Sequence, residues 1–537
     1  MNIAHSLDSR ASRAPAQPAL ISSSGNLTYE ELSKRSGLVA AALKEWGIET
    51  GMRVVLMVRP GPDFLITTFA FLKLGAVLVL VDPGIGRTNL DRCLAEAEPQ
   101  AFAGIWKAQA ARYLLGWCKE TVKLCLTTGA IGFPGAPSLR NLLRKFRPSE
   151  PLIPVEVDQH TPAAIAFTSG STGVPKGVVY THGMFAAQAQ FLRSTYQIEE
   201  NEVDLATFPL FALYDPALGM TTVFPKMDFS RPGSVNPGDI VDAVRTNQVT
   251  HMFGSPALLD RVGRRYASDD GIPMPSIRRV LSAGAPVPTE TLDRFSRIIS
   301  LGAQIHTPYG ATEALPVCSI SSREREALGG TSEGKGICVG RPLKGVDLAI
   351  ISITDDPIET WTDELCVPDG EIGEIVVWGD NVSREYFNRP EHNRLAKIRD
   401  ERGNIRHRMG DLGYLDEAGR VWFCGRKAHR VVTPEGTLYT VCCEGIINQH
   451  PEVRRSALVG IGSPPAQEPV VCVELWDGRH WKGSNRLKEE LLELARRYEI
   501  TRPIRKVLFH KSFPVDIRHN AKIFREKLAE WATRQFQ

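Results

Sequence analysis

Residues 165–182 read IAFTSGSTGVPKGVVYTH, an apolar run, then a stretch crowded with Ser, Thr and Gly around Pro-Lys-Gly, then a second apolar run. Successive backbone N–H groups freed by glycine, with hydroxyls beside them, make a concavity that suits phosphate oxygens, and a lysine adds charge. A triphosphate is the economical ligand. The stretch is not a Walker A loop, which needs Gly-Lys-Ser/Thr opening a helix; here Lys176 lies between Pro175 and Gly177. Taken alone, it reads more readily as a flexible Ser/Gly connection between two strands.

The flanking pattern says what must hold such a loop. Helix-like TYEELSKRSGLVAAALKEWGI precedes the apolar run RVVLMV, and ALLDRVGRRYA precedes RRVLSAGAP. This alternation predicts α/β layers with largely parallel sheets. FLITTFAFLKLGAVLVLVDP, residues 64–83, approaches the length of a membrane span, but Lys73 sits inside it and Gly75 interrupts it. It reads as a buried helix through Leu74, a break at Gly75 and a buried strand, with no transmembrane segment. Residues 129–162 are rich in Pro and Gly with little periodicity and read as a surface connection between subdomains. After GRKAHRVVTPEGT, residues 425–437, the pattern restarts with short strands and the amphipathic SNRLKEELLELARRYEI, which predicts a small C-terminal domain of roughly 100 residues.

The chain has 537 residues, beyond the roughly 250–300 at which one core stops growing, so more than one domain is expected. With 43% hydrophobic and 23% charged residues it reads as globular. The 64 basic against 61 acidic residues give a net charge of only +3 and no reason to expect a nucleic-acid partner. Ten cysteines (Cys93, Cys118, Cys125, Cys318, Cys338, Cys366, Cys424, Cys442, Cys443 and Cys472) contain no Cys-x-x-Cys pair and read as buried thiols in a reducing compartment. The first residues lack the apolar core of a signal peptide, so a cytoplasmic location is expected.

FTSGSTGVPKGVVYTH resembles the phosphate loop of the adenylate-forming superfamily, which includes acyl-CoA synthetases, adenylation domains and luciferases. Further blocks agree in order: LKLGAVLVLVDP, LSAGAPVP, TPYGATEA, MGDLGYLDEAGRVWFCGR and NAKIFREKL. The match spans residues 15 to 530. It implies an α/β fold with a large N-terminal domain of layered subdomains, residues 1–427, and a small mobile α+β lid, residues 428–537. It implies ATP and Mg²⁺ as cofactors. Thr168, Ser169, Gly170, Ser171, Thr172, Gly173 and Lys176 would then cradle the β and γ phosphates. Gly284, Ala285 and Pro286 would line the adenine slot, with Tyr309 stacked on the base. Thr312 would bond the α-phosphate, and Glu313 would ligate Mg²⁺, a hard cation that shares the phosphates. Asp411 would accept both ribose hydroxyls with Arg426 near by. Lys522 would stabilise charge as the carboxylate displaces pyrophosphate. Without the shared order, Asp411 reads as a turn residue, Tyr309 as core and Lys522 as a solvated face.

The departures bear on what receives the acyl group. Where many relatives carry a His after the phosphate loop, this chain has Ala212 within FPLFALYDP, and Phe208, Phe211, Leu213 and Tyr214 suggest an apolar wall. At the hinge, Ala428 and His429 replace the usual acidic or basic residue and the usual Asp, and TVCCEGIINQHP replaces a Pro-x-Glu-x-Glu pattern. These changes fall where a C-terminal domain rotates to admit a thiol. An acyl-adenylate reacts with whichever nucleophile is held in line. A 3-hydroxyl on the substrate itself would close a four-membered ring and release AMP.

The blocks FPLFALYDPALGM, FGSPALLDRVG, HTPYGATEALPV, HRMGDLGYLD and CGRKAHRV resemble the β-lactone synthetases of long-chain olefin biosynthesis. That resemblance implies a 2-alkyl-3-hydroxyalkanoic acid, a long-chain β-hydroxy acid, as substrate, and assembly with a β-lactone decarboxylase and a reductase. Phe211, Leu213, Phe253, Leu258 and Leu315 are the candidate pocket residues, with Met252, Pro256 and Leu259 beside them; the same helical spacing also fits core. A long-chain fatty acyl-CoA or acyl-carrier-protein ligase is the alternative activity, and an idle nucleotide-binding subunit the non-enzymatic one. Retention of Lys176, Glu313, Asp411, Arg426 and Lys522 together argues against the last.

Overall fold

The computed structural model describes residues 2–168, 174–268, 271–329, 334–476, 484–515 and 522–536. The chain divides into two compact units. The first comprises Met1–His306, Gly310–Pro316 and Gly379–Asn393; the second comprises Thr307–Tyr309, Val317–Trp378 and Arg394–Gln537.

In the first unit a six-stranded sheet runs in the order Leu124–Thr128, Ala101–Ile105, Arg53–Met57, Val77–Leu80, Pro162–Phe167, Gly177–Thr181. All pairings are parallel except the last, where Phe167 lies opposite Gly177. Strands covered on both faces read as continuous apolar runs, as RVVLM and VLVL do. Val55, Val79, Phe102 and Ile165 meet in one core cluster. A second group of parallel strands runs Pro18–Ser22, Thr221–Phe224, Val203–Ala206, His251–Phe253, Arg279–Leu281 and on to His306.

The span-like stretch is a buried helix Pro62–Lys73, a left-handed Gly75 at φ +70° and the strand Val77–Leu80. Among the described residues no helix is long and apolar enough to cross a membrane. Lys73 is buried because its ammonium has partners: Asp8 Oδ1 at 2.7 Å and the Ser33 carbonyl at 3.1 Å. Burial pulls its pKa down while Asp8 pulls it up.

One expectation needs correction. Residues 129–162 contain the helix Leu139–Phe146, capped by Ser138, and connect two strands of one sheet, so they do not link subdomains. Pro and Gly on both sides disguise a two-turn helix whose Leu139 and Leu142 are buried. The second unit mixes both directions: Glu468–Leu475 and Lys506–Phe509 pair parallel, whereas its larger group of strands is mostly antiparallel. There the strand order Val346–Ile351, Gly373–Gly379, Ile405–Leu415, Val421–Arg426, Ile337–Pro342 leads to residues 317–321, with antiparallel pairing from Gly373–Gly379 onward.

Residues 428–537 lie wholly in the second unit. They form the hairpin Val431–Thr433/Gly436–Leu438, a three-stranded sheet Val453–Ile461, Glu468–Leu475, Lys506–Phe509, and the helices Thr440–Ile447, Asn485–Arg496 and Arg525–Arg534. Leu487, Leu491 and Ala495 of the amphipathic helix pack into a core with Leu458 and Val471. All ten cysteines are free; Cys442 and Cys443 are buried, whereas Cys366 is exposed, against the expectation of burial.

Asp8→Ala should destabilise the protein by about 2–3 kcal/mol, below the usual range for a broken buried pair because Asp8 keeps some solvent contact. Asp8→Ala with Lys73→Met should recover most of the loss in a urea unfolding curve. An unchanged midpoint for the single variant would contradict the ion-pair account.

Candidate functional site

The Ser/Thr/Gly stretch joins two antiparallel strands, Pro162–Phe167 and Gly177–Thr181. Its neck is closed by two hydrogen bonds: Thr168 N–H to the Lys176 carbonyl at 3.0 Å, and Lys176 N–H to Thr168 Oγ1 at 3.1 Å. Gly177 follows because a Cβ there would stand 2.8 Å from Ile165 Cγ2. Ser169, Gly170, Ser171, Thr172 and Gly173 lie outside the described residues. The Lys176 ammonium sits 4.8 Å from the ring centroid of Tyr386, a cation–π distance.

Tyr386 also ties this lysine to the expected metal ligand. Its hydroxyl donates to Glu313 Oε1 at 2.6 Å. The backbone carbonyls of Thr312, Glu313, Leu315 and Pro316 each accept a hydrogen bond from a neighbouring element. Tyr180 Oη donates to the Thr312 carbonyl at 2.7 Å, and the Ser383 N–H to the Glu313 carbonyl at 2.8 Å. Gln188 Nε2 donates to the Leu315 carbonyl at 3.0 Å, and Asn381 Nδ2 to the Pro316 carbonyl at 2.7 Å. Thr312 and Glu313 are thus presented by a backbone with little freedom.

In the second unit Tyr309 Oη donates to Asp411 Oδ2 at 2.7 Å. Asp411 and Arg426 face each other across the Ile405–Leu415/Val421–Arg426 register, with 2.9 Å between Asp411 Oδ1 and Arg426 Nη1. Burial first and the neighbouring Asp411 second push the Tyr309 hydroxyl well above its usual pKa, so it stays a donor. The expected base-stacking and ribose-binding residues are one hydrogen-bonded group. In the first unit, Gly284 to Pro286 follow the strand Arg279–Leu281; Gly284, at φ +95°, and Pro286 are exposed and Ala285 is half-buried.

The aromatic residues after the loop form a continuous wall. Ring centroids are 4.6 Å apart for Phe211 and Phe253, 5.1 Å for Phe208 and Phe211, 6.4 Å for Phe211 and Tyr214, and 5.9 Å for Tyr214 and Phe185. Tyr214 Oη donates to Gln188 Oε1 at 2.5 Å, so the wall connects through Gln188 to Leu315. Phe211, Phe253 and Leu315 keep partial exposure, while Leu213 is buried. Leu258 requires correction as a pocket residue. With Met252 and Leu259 it is fully buried in the core cluster around Val262 and Val280, the other meaning of its helical spacing.

Lys522 is half-buried and precedes Ile523, which bridges to Val515 before the helix Arg525–Arg534 begins. At the hinge, Lys427 Nζ lies 3.0 Å from Glu374 Oε2 and donates to the Thr354 carbonyl. His429 Nε2 meets Glu526 Oε1 at 3.2 Å and holds that carboxyl below its usual pKa. Arg525 pairs with Glu444 of the CCEG run, whose Oε1 also accepts the Leu458 N–H; burial pushes this carboxyl up. The departures at 429 and 440–451 therefore place two ion pairs, His429–Glu526 and Glu444–Arg525, on the helix that follows Lys522.

Sequence reasoning missed Tyr180, Gln188, Asn381, Ser383 and Tyr386. The first two belong to the strand and helix after the loop, where they read as core; the others lie in NVSREYFNRPE, whose density of polar residues was the available signal.

The AMP-binding enzyme family model matches residues 7–387. An olefin beta-lactone synthetase of Xanthomonas campestris pv. campestris is 45% identical over 550 residues, covering 99% of this chain and 98% of that one. A protein of the same description from Stenotrophomonas maltophilia is 46% identical over 516 residues, covering 95% and 92%. The amide bond synthetase McbA of Marinactinospora thermotolerans matches with a TM-score of 0.80 at 24% identity, covering 99% of this chain and 100% of its own. An O-succinylbenzoate coenzyme A synthetase of Bacillus subtilis, solved with ATP and magnesium, gives 0.75 at 21% identity, covering 97% and 98%. At those identities the solved structures speak to the fold alone.

Gln188→Leu should strip partners from both the Tyr214 hydroxyl and the Leu315 carbonyl and cost about 3 kcal/mol, against about 1 for Tyr214→Phe. Unfolding curves that rank the two variants the other way would contradict Gln188 as the shared anchor.

Proposed function

The chain belongs to the AMP-binding enzyme family, and from that premise we propose that it activates a long-chain 2-alkyl-3-hydroxy carboxylic acid with ATP and closes it to a β-lactone. The observation that carries this reading is end-to-end similarity, at 45% identity, to an olefin beta-lactone synthetase. In the first step a carboxylate oxygen bonds to the α-phosphorus as the bond to pyrophosphate breaks. In the second, the 3-hydroxyl oxygen bonds to the carbonyl carbon, loses its proton, and AMP departs.

Each residue then has work. The loop from Thr168 to Lys176, including Ser169, Gly170, Ser171, Thr172 and Gly173, holds the β and γ phosphates. Gly284, Ala285 and Pro286 flank the adenine, on which Tyr309 stacks. Asp411 and Arg426 bind the ribose side, and their present pairing with each other and with Tyr309 orients the carboxylate until the ribose hydroxyls replace part of it. Thr312 contacts the α-phosphate. Lys522 stabilises the negative charge that gathers as the carboxylate attacks, a large term where water is excluded. Phe211, Leu213, Phe253 and Leu315 border the alkyl chains.

Among the described residues no three His, Cys, Asp or Glu side chains gather as a metal site. A single carboxylate suits Mg²⁺, which takes one or two protein carboxylates and completes its shell with phosphates and water. Glu313 fits: Tyr386 fixes one oxygen, and a carboxylate offers about four lone-pair sites. When bound, the ion neutralises phosphate charge. Residues 1–427 serve as the nucleotide-binding body and 428–537 as the lid that delivers Lys522. A reducing, cytoplasmic setting suits ten free thiols. A β-lactone decarboxylase and a reductase are the partners this product calls for.

Three outcomes test the assignment. AMP release from a 3-hydroxy acid should proceed without CoA and stop with the 3-deoxy acid; strict dependence on CoA or a carrier thiol would make the protein a conventional ligase. Lys522→Ala should abolish adenylate formation in a pyrophosphate-exchange assay and leave ATP affinity within about threefold; equal turnover would remove Lys522 from the mechanism. Glu313→Gln should raise the Mg²⁺ needed for half-maximal rate by at least about tenfold. Tyr386→Phe should do so more mildly, and superimposable metal titrations would contradict both roles.

A further inference from the structure

The strand Leu124–Thr128 is the outer edge of the six-stranded sheet. The helix Trp106–Leu115 leads into it and the helix Leu139–Phe146 follows it. Trp106–Leu115 anchors to the sheet through Gln109, buried with its Nε2 donating to the Leu126 carbonyl at 2.8 Å, and through Ala108 and Ala111 in the core cluster. Its other side faces out. Trp106 and Tyr113, seven residues apart, lie on one face, and Leu114 beside it.

These are large apolar side chains in open solvent: Trp106 is 49% exposed, Tyr113 72%, Leu114 78%, and Ile131, in the loop after the edge strand, 74%. Trp106 and Tyr113 are joined through the Phe133 ring, 5.3 Å from the first and 6.2 Å from the second. None of them belongs to the site described above. A single exposed leucine needs no explanation, but a cluster of Trp, Tyr, Leu, Ile and Phe on one edge marks an interaction surface.

The surrounding charge says what kind. Residues 106–147 hold eight basic residues and one acid, Glu120, in a chain whose net charge is only +3. Arg112 turns inward over the Phe102 ring. The other seven, Lys107, Lys119, Lys123, Arg140, Arg144, Lys145 and Arg147, are all exposed. Amphipathic aromatic rings sit well at the level of lipid headgroups, and lysine and arginine around them attract an anionic leaflet. We propose that this sheet edge docks reversibly on an anionic lipid bilayer, with Trp106, Tyr113, Leu114 and Ile131 entering the headgroup region and the seven exposed bases facing lipid phosphates. Neither signal is large alone, and an apolar contact with a basic rim is the combination that makes interfacial binding stable. The consequence for substrate supply, though not the docking itself, rests on the proposed function: an acid with two long alkyl chains partitions into lipid, so a docked enzyme meets its substrate where the substrate is.

The test is co-sedimentation of the full chain, without substrate or nucleotide, with vesicles of phosphatidylcholine alone and of phosphatidylcholine with an equal part of phosphatidylglycerol. The bound fraction should be at least about fivefold higher on the anionic vesicles and fall as salt rises from 50 to 500 mM. Trp106→Ser/Tyr113→Ser, and separately Lys119→Glu/Lys123→Glu, should each cut it at least about threefold while melting temperature and turnover of a short, water-soluble 3-hydroxy acid stay unchanged. Equal binding to both vesicle types, or variants that bind like the parent, would overturn the proposal. So would absence of vesicle binding combined with self-association that the Trp106→Ser/Tyr113→Ser variant abolishes in light scattering, which would assign the patch to a second copy of the chain. Vesicle binding is read without catalysis, so its failure is separate from failure of the lactone reading.

Discussion

Everything proposed for catalysis depends on how five residues are held. In its proposed role the run from Thr312 to Pro316 would present a hydroxyl and a carboxylate to a highly charged ligand, and a free loop of this kind would swing. Four groups on three separate segments bind its backbone: Tyr180, Gln188, Ser383 and Asn381. A fifth, Tyr386, binds the Glu313 side chain itself. Preorganisation of this sort matters because a charged site that must first be assembled spends part of its stabilisation on ordering. The arrangement also couples two motifs distant in sequence, since one tyrosine ring stands under Lys176 while its hydroxyl holds Glu313.

The same run is joined to the aromatic wall. Gln188 grips the Leu315 carbonyl with one end and the Tyr214 hydroxyl with the other, and Tyr214 packs into the aromatic chain of Phe185 and Phe211. A buried polar group with both ends satisfied rigidifies its surroundings, whereas a half-satisfied one costs stability. With Ala212 where many relatives carry histidine, nothing titratable interrupts that wall between Phe208 and Tyr214.

Much of this was legible in the sequence. The alternation of apolar runs with amphipathic segments gives the parallel sheets of the first unit, and Lys73 with Gly75 correctly argues that residues 64–83 are not a span. The order of short motifs singles out Lys176, Glu313, Asp411, Arg426 and Lys522 as candidates without any coordinates. What could not be read was which residues hold them. Tyr180 and Gln188 sit on elements whose pattern is that of core, and the value of each lies in one hydroxyl or amide meeting a carbonyl more than 120 residues away. Leu258 failed for the converse reason, because helical periodicity marks the buried face without saying whether a ligand or a neighbouring helix covers it. The pairing direction of each strand in the second unit could not be read, because an apolar run carries no record of its direction.

The central claim is that the second nucleophile is the substrate's own hydroxyl. The most direct measurement is proton NMR of the purified protein with Mg-ATP and a synthetic 2-alkyl-3-hydroxy fatty acid, with no CoA present. The account predicts the ring protons of a β-lactone growing in step with AMP. A hydroxy acid that persists under those conditions, while a plain fatty acid is converted once CoA is added, would contradict it.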